Sequence, residues 1–433
     1  MMNCMDPFPI NSPLPQVFTT PEFSMELCCH GNDRYTKVSY PVKYGLFSRL
    51  ETRDHILEFN LNHEIRHARS KKNTWLHPSE WLKRTMGNDW VYYSSGGYSG
   101  VYEALGEYYL PNLTYPTNSL LGGKPFEEEG IQEIVTHWPH ILQSLPDTDL
   151  PHEFSQWLWK IRQQTPDTLE KKAQALFDII GSRVTVMPPD ARHTDYNFIP
   201  LTIADGCLYK CAFCKIKNKK PFSVRSSADI DRQITELKTL YGRDIINYNA
   251  LFLGEHDALN APAGLILETL EKAHEKFGFA SSFMKEAFLF IFGSADSFLN
   301  AGPFLFDGLK KLPFQTFINI GLESCDPTTL NRIGKPITPE KVRAAFEKAQ
   351  QINQTLPNVE ISCNFIMDEG LPATHAESLL SLLRQSSQKT SPKGSIYLSP
   401  LKFSSPSREV LYEFYKLKSL SRFPTFLYLI QRL

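Results

Sequence analysis

The segment Cys207-Leu208-Tyr209-Lys210-Cys211-Ala212-Phe213-Cys214 brings three of the chain's 8 cysteines together within one short stretch. The spacing C-x3-C-x2-C allows three thiolates on one loop to bind three irons of an iron-sulfur cube. The fourth iron then has no protein ligand, and an open iron can bind and activate a second molecule. The segment therefore predicts an iron-sulfur site with one open iron.

Two other interpretations of the three cysteines stay open. A structural zinc site needs four ligands, usually from paired C-x2-C or Cys/His motifs, and no second pair lies nearby in the sequence. Three unrelated thiols in a reducing compartment are the other alternative. The close spacing and the position of the loop after an apolar strand favour the cluster.

The sequence from Asn197 onward alternates apolar strands with amphipathic helices. The first predicted strand, residues 198–204, ends at the cysteine loop. Five further strands are predicted at residues 250–253, 288–292, 316–320, 359–367 and 395–398. This alternation predicts a parallel sheet with right-handed crossovers, and six units predict a partial TIM-like barrel. Chemistry in such barrels lies at the C-terminal ends of the strands, where the first strand places the cysteines.

The cysteine spacing, with the aromatic Phe213 before the last cysteine, resembles the signature of the radical S-adenosylmethionine (radical SAM) enzymes. The resemblance covers about residues 197–401 and implies a (β/α)6 partial barrel. It also implies that Cys207, Cys211 and Cys214 hold a [4Fe-4S] cluster, and that the open iron binds the amino and carboxylate groups of SAM. One-electron reduction would cleave the sulfonium to a 5′-deoxyadenosyl radical, which takes hydrogen from a substrate.

Three loops after predicted strands supply further candidate residues: Gly293-Ser294-Ala295-Asp296-Ser297 after the third strand, and two loops that carry the same resemblance. Leu253-Gly254-Glu255 is similar to the end of a Gly-Gly-Glu motif that binds the SAM amino group, with Leu253 replacing the first glycine. Gly321-Leu322-Glu323-Ser324 resembles a segment that reaches the ribose or amino acid end of SAM. Asp296 and Glu323 can instead cap helices. The expected SAM contacts are Phe213, Gly254, Glu255, Ser294 and Glu323, and no catalytic residue is assigned.

We expect four segments in the chain. Residues 1–45 read as an irregular arm, 46–192 as a mainly helical accessory domain, 193–401 as the barrel and 402–433 as a C-terminal helical segment. The accessory domain is expected to cover the mouth of the barrel and set substrate choice. Tyr92, Tyr93 and Tyr98 are candidate substrate contacts, although a small aromatic core under a glycine-rich turn explains them equally well.

His63-Glu64-Ile65-Arg66-His67 fits the H-E-x-x-H pattern, which on a helix places two imidazoles for zinc and a glutamate as base. The motif of zinc metalloproteases, which it resembles, prefers an uncharged residue where Arg66 stands. A charged surface helix is therefore the favoured interpretation, and zinc binding is the weaker one.

Charge and composition limit the classes of partner that the chain is expected to bind. The formal net charge is -1, so no global field recruits nucleic acid or membrane. The loop Lys215–Arg225 holds five cations beside the cysteines. It can bind RNA or an acidic substrate, steer a flavodoxin- or ferredoxin-type electron donor, or simply be solvated. RNA modification by a radical SAM enzyme, and a non-catalytic iron-sulfur or zinc module, are thus alternative functions.

The compartment is expected to be cytoplasmic. The N-terminus shows no secretory pattern, and the apolar runs are far shorter than the roughly 20 residues that span a bilayer. Cys4, Cys28, Cys29, Cys325 and Cys363 show no disulfide-framework spacing, which fits a reducing compartment. Cys325 and Cys363 can donate hydrogen to a substrate radical, but inert buried thiols are the simpler interpretation.

Overall fold

Among the residues that the structure describes, the chain forms two seven-stranded sheets, one antiparallel and one parallel, and a small two-stranded sheet. The structure is a computed structural model, and it describes residues 15–35, 43–75, 81–93, 128–146, 149–214, 221–385, 392–399 and 408–428. The antiparallel sheet comes first in the chain, and the parallel sheet carries the cysteine loop.

The parallel sheet confirms the predicted α/β fold with a partial TIM-type barrel. Its strands are β8 (Ile199–Thr202), β11 (Ala250–Gly254), β12 (Ala287–Ser294), β13 (Phe314–Glu323), β14 (Val359–Ile366), β15 (Ile396–Ser399) and β16 (Thr425–Leu427), in that spatial order. All six predicted strands are present. A seventh, β16, pairs in parallel with β15, so the sheet extends beyond the expected end of the barrel at residue 401.

Helices connect these strands and cover the outside of the sheet. They are α4 (Ser227–Tyr241), α5 (Ala263–Phe277), α6 (Ala295–Asn300), α7 (Pro303–Lys311), α8 (Pro327–Arg332), α9 (Pro339–Thr355), α10 (Ala373–Gln385) and α11 (Arg408–Leu420). Ser226 caps α4 as the sequence predicts, since its side chain accepts a hydrogen bond from the Asp229 amide. Helix α11 lies within residues 402–433, the segment predicted to be helical.

Burial on both faces explains why the parallel strands are so apolar. Phe290 in β12 and Phe317 in β13 contact each other inside the barrel, with ring centroids 5.8 Å apart and the rings tilted by 31°. Leu289 and Ile291 on alternate positions of β12 are also fully buried. A strand that is covered on both faces has no polar alternation, so it appears in the sequence as a continuous apolar run.

The N-terminal region corrects the prediction of a mainly helical domain. Its strands are β1 (Gln16–Thr19), β2 (Phe23–His30), β3 (Leu46–Thr52), β4 (His55–Phe59), β5 (Ile65–Ser70), β6 (Trp81–Arg84) and β7 (Trp90–Tyr93). They form an antiparallel meander in chain order. The prediction of an irregular arm over residues 1–45 is also wrong where β1 and β2 lie.

Within the described residues, three helices follow the antiparallel sheet: α1 (Glu129–Gln143), α2 (His152–Arg162) and α3 (Pro166–Ile180). One face of the sheet and the apolar faces of these helices share a core. Phe59 of β4 and Trp157 of α2 meet edge-on in it, 5.5 Å between ring centroids. The region thus contains helices as well as strands, and the strands were missed.

The H-E-x-x-H segment is not helical, so both helical interpretations of it are wrong. His63 lies in a turn with φ 66°, and His67 lies in β5. His67 packs against the buried Glu58, with Nδ1 3.4 Å from the carboxylate, and burial lowers the pKa of His67. Glu64 forms ion pairs with Lys172 and Arg84. The charged residues stabilise the interior of the sheet.

The described part of the N-terminal region contacts the base of the barrel. The Asn247 side chain, just before β11, accepts a hydrogen bond from the Leu46 amide at 2.7 Å and donates one to the Leu46 carbonyl at 2.9 Å. The Lys83 ammonium donates to the Asp195 carbonyl, before β8, at 2.7 Å. The expectation that this domain covers the mouth is therefore wrong for the described residues. Tyr92 and Tyr93 lie in β7, and Tyr98 lies outside the described residues.

We predict that Asn247→Ala lowers the free energy of unfolding by about 1–3 kcal/mol, because the buried Leu46 amide and carbonyl both lose their partner. Chemical denaturation measures the change. Asn300→Ala, at an exposed position on α6, is the matched control and should have no effect. Equal denaturation midpoints for Asn247→Ala and the control would contradict the contact.

A turn of 3-10 helix, Pro189–Thr194, closes the barrel from below. Its Asp190 is fully buried and accepts hydrogen bonds from the hydroxyls of Ser362 in β14 and Tyr397 in β15. The Arg192 guanidinium donates to the same Tyr397 hydroxyl at 2.6 Å. Burial raises the pKa of Asp190 to about 6. The Asp190 carboxyl thus links this 3-10 turn to strands β14 and β15.

The raised pKa predicts a pH dependence of stability. Folded Asp190 keeps its proton to a higher pH than it does in the unfolded chain, so the folded state binds more protons between the two pKa values. The stability of the wild type relative to Asp190→Asn should therefore fall, by on the order of 2 kcal/mol, from about pH 4 to about pH 7. Denaturation of both proteins across this range measures it, and a constant difference would show that Asp190 titrates normally.

Candidate active site

The cysteine loop leaves the barrel at the C-terminal end of β8. Two short strands, β9 (Ala204–Asp205) and β10 (Ser223–Val224), pair at its base. Arg225 then binds the Asp205 carboxylate with two hydrogen bonds, of 2.9 and 2.8 Å. Arg225, one of the five cations of the loop, therefore stabilises the base of the loop itself. Lys215, Lys217, Lys219 and Lys220 lie outside the described residues, and their binding of RNA stays a prediction.

The three cysteines of the loop carry free thiols. Cys211 is buried, and Cys207 and Cys214 are partly exposed. Burial raises the pKa of Cys207 to about 11 and also raises that of Cys211. All three thiols lie within residues 207–214 of one loop. Three such thiols on one loop fit the donor set of an iron-sulfur cube, because each iron takes its own thiolate.

Within the described ranges, no group of three or more His, Cys, Asp or Glu side chains is placed to hold a single metal ion. The same ranges contain no helix that is both long enough and apolar enough to cross a bilayer.

A turn between α8 and α9 packs directly against the cysteine loop. The Ala212 amide donates a hydrogen bond to the Ile333 carbonyl at 3.0 Å. Gly334 has a positive φ of 63°, and a Cβ there would lie only 3.0 Å from the Ala212 Cβ. The glycine thus permits the close approach, and the next residue, Lys335, is delivered to the thiols.

Lys335 is a site residue that the sequence analysis missed. Its Nζ lies 3.1 Å from Glu323 Oε1, and both side chains are largely buried. Burial alone would lower the pKa of Lys335, but Glu323 and the thiol of Cys211 outweigh it and raise the pKa. The ammonium therefore stays charged beside the cysteines. The signal in the sequence that could have identified Lys335 is a lysine that follows a glycine in an otherwise apolar turn.

Glu323 ends β13 in a left-handed conformation with φ 66°. Left-handed non-glycine residues cost energy and are concentrated at functional sites. Gly321 leaves the space that the side chain needs, since a Cβ there would lie 2.7 Å from Glu323 Oε1. The helix cap that follows is Asp326, so capping does not explain Glu323. Its neighbour Ser324 is engaged elsewhere, 2.8 Å from His375 Nδ1.

The remaining predicted SAM contacts lie at the same edge of the sheet. Gly254 ends β11, and a Cβ there would meet only ordinary contacts, so the fold itself does not require the glycine. Glu255 follows it and is buried, with an oxygen 3.5 Å from His256 Nε2. Phe213 is half-buried in the cysteine loop. The structure thus brings these residues to the C-terminal edge, and their binding of SAM stays a prediction.

Ser294 has a local structural partner. Its hydroxyl caps α6 by accepting a hydrogen bond from the Ser297 amide at 3.1 Å. The buried Asp257 accepts hydrogen bonds from the Ser294 amide and the Ser297 hydroxyl, each at 2.7 Å. These bonds join the loops after β11 and β12. A role of Ser294 in SAM binding would have to use its remaining lone pair.

Cys325 and Cys363 are both buried. Burial raises the pKa of Cys325 to about 12 and raises that of Cys363 as well. Neither thiol is exposed at the edge where the three cysteines lie, and hydrogen donation by either stays a prediction.

Residues 201–367 match the family model described as the Radical SAM superfamily. This part of the chain belongs to the radical SAM superfamily. The match confirms the family resemblance of the cysteine motif and covers β8 to the end of β14. Members of the superfamily use a [4Fe-4S] cluster and SAM. A search of curated protein sequences found no match.

Several solved radical SAM structures are similar to the chain. The methyltransferase TsrM from Kitasatospora setae is 11% identical, with a TM-score of 0.33, over 51% of this chain and 40% of TsrM. Streptococcus suis SuiB is 12% identical, with a TM-score of 0.35, over 69% and 62%. Methylornithine synthase (PylB) is 12% identical, with a TM-score of 0.34, over 66% and 77%. The chain spans less than half of TsrM, and these low scores support no argument about substrate or reaction.

We predict that Lys335→Met slows alkylation of Cys207 and Cys211 in the iron-free protein several-fold at about pH 8, because loss of a nearby positive charge raises the thiol pKa values. Mass spectrometry of iodoacetamide-treated peptides measures each rate. Lys310→Met, at an exposed position on α7, is the control and should react like the wild type. An unchanged rate in Lys335→Met would mean that the ammonium does not act on the thiols.

Proposed function

We propose that the chain is a radical SAM enzyme that holds a [4Fe-4S] cluster with Cys207, Cys211 and Cys214. The observation that carries the proposal is the position of these three free thiols, on the loop after β8 of a barrel that matches the superfamily. That position is the C-terminal edge of a parallel sheet, where α/β barrels bind their ligands.

The cluster, when bound, supplies the electron that cleaves SAM to methionine and a 5′-deoxyadenosyl radical. The chain's own residues hold and orient the reactants. Gly254 allows backbone to approach SAM, the buried Glu255 accepts hydrogen bonds from the SAM ammonium, and Glu323 binds its amino acid or ribose end. The Lys335 ammonium balances the negative charge of the thiolates at a buried position. Phe213 and Ser294 complete the proposed SAM contacts.

The radical takes hydrogen from a substrate that enters at the C-terminal edge. The proposed electron donor is a flavodoxin- or ferredoxin-type protein, and the proposed compartment is the cytoplasm. Leu208 is 42% exposed and Val224 is 40% exposed, and both lie on the loop that carries the cysteines or at its base. These apolar side chains support contact with a protein donor near the cluster.

We predict that the protein, reconstituted anaerobically, binds about four irons and four sulfides per chain and forms 5′-deoxyadenosine from SAM with dithionite. Cys207→Ala, Cys211→Ala and Cys214→Ala should each lose most of the cluster and all of this product. Cys325→Ala, which removes a buried thiol outside the loop, should retain both. Iron and sulfide assays and chromatography measure these outcomes.

Two other results would contradict the proposal. A wild-type protein that takes up zinc in place of the cluster would support a structural metal module. A protein that holds the full cluster but forms neither 5′-deoxyadenosine nor methionine from SAM would support a non-catalytic iron-sulfur module.

A further inference from the structure

Tyr209 lies between the first two cysteines of the loop and is bound at its far end. Its hydroxyl donates a hydrogen bond to Asp296 Oδ2 at 2.7 Å, and the Asp296 amide donates back to the same hydroxyl at 3.1 Å. Burial raises the pKa of Tyr209, so the phenol remains a donor. Two hydrogen bonds thus join the cysteine loop to the first turn of α6.

Asp296 is itself held by a third element. Its other oxygen accepts a hydrogen bond from the Lys341 ammonium, in the first turn of α9, at 2.6 Å. The contacts therefore fix the carboxylate between α6 and α9, and it presents a defined acceptor to Tyr209. A hydrogen bond from the phenol to an ionised carboxylate is stronger than one between two neutral groups.

The backbone of Tyr209 contacts the first cysteine. The Tyr209 amide donates a hydrogen bond to Cys207 Sγ at 3.4 Å. The neighbouring Leu208 amide lies beside the buried Asp257 carboxylate. The first half of the loop is thus held at two consecutive residues, with the Tyr209 amide directed at a sulfur.

Hydrogen bonds to cysteine sulfurs tune the reduction potential of an iron-sulfur cluster, because they stabilise the more negative, reduced state. The strength of the bond from the Tyr209 amide depends on the conformation of the loop. The tyrosine side chain restricts that conformation, because its far end is bound to Asp296.

We propose that Tyr209 and Asp296 are positioning residues that hold the Tyr209 amide on Cys207 Sγ and thereby raise the reduction potential of the cluster. The proposal rests on the proposed function, since it requires the three cysteines to hold a [4Fe-4S] cluster. A purely structural role of the pair would change the stability of the protein and leave the potential of the cluster unchanged.

Tyr209→Phe tests this proposal, because it removes the hydroxyl without a change of charge. We expect the midpoint potential of the cluster, from a redox titration followed by electron paramagnetic resonance, to become more negative than in the wild type. The coupling of an exchangeable proton to the reduced cluster should weaken in the same sample. Tyr428→Phe is the matched control, because Tyr428, outside the cysteine loop, also donates one buried hydrogen bond, to the Met187 carbonyl.

An unchanged midpoint potential and an unchanged proton coupling in Tyr209→Phe, at full iron content, would overturn the proposal. If this variant does not fold, Asp296→Asn carries the test through the proton coupling, since its change of charge also affects the potential. Absence of a [4Fe-4S] cluster from the wild type would instead refute the proposed function, before any variant is compared.

Discussion

The buried charge of Lys335 is the constraint on which the rest of the site depends. An ammonium removed from water needs negative partners, and Glu323 and the cysteine thiols are the ones within reach. Gly334 allows the lysine to approach the loop, and Gly321 leaves space for the glutamate. These features of two distant segments place a positive charge beside the cysteines, which favours negative charge on the thiols.

The parallel half of the fold was largely predictable, because burial on both faces of a strand leaves a continuous apolar run. The three cysteines were predictable from spacing alone. Lys335 was not, because it reaches the site from a turn far along the chain. The partners of Ser294 and Asp296 were also hidden, since they depend on how the loops after β11 and β12 contact each other.

The strands of the N-terminal half could not be predicted from the sequence pattern. The strand Ile65–Ser70 contains two arginines and a histidine, and its sequence suggests a solvated surface. The structure buries Arg66 and places His67 against Glu58, which forms ion pairs with Lys43 and Arg49. A sequence pattern records that a residue is charged, but it does not record which partner removes it from solvent. Strand β16 was missed for another reason, because three residues are too few to show a period.

The two ends of the barrel have different tasks. The described N-terminal sheet and Asp190 hold the base, and the C-terminal edge carries the cysteines, Glu255 and the Lys335–Glu323 pair. This division separates the residues that stabilise the fold from those proposed to bind SAM. It also explains why the left-handed backbone of Glu323 and the buried Lys335–Glu323 ion pair occur together at the edge where the reaction is proposed.

Mössbauer spectroscopy of the ⁵⁷Fe-reconstituted protein, before and after addition of SAM, tests the central claim most directly. An incomplete set of three thiolates predicts that one iron of the cube changes its spectrum when SAM binds, while the other three keep theirs. Four irons that remain unchanged with SAM would contradict the account.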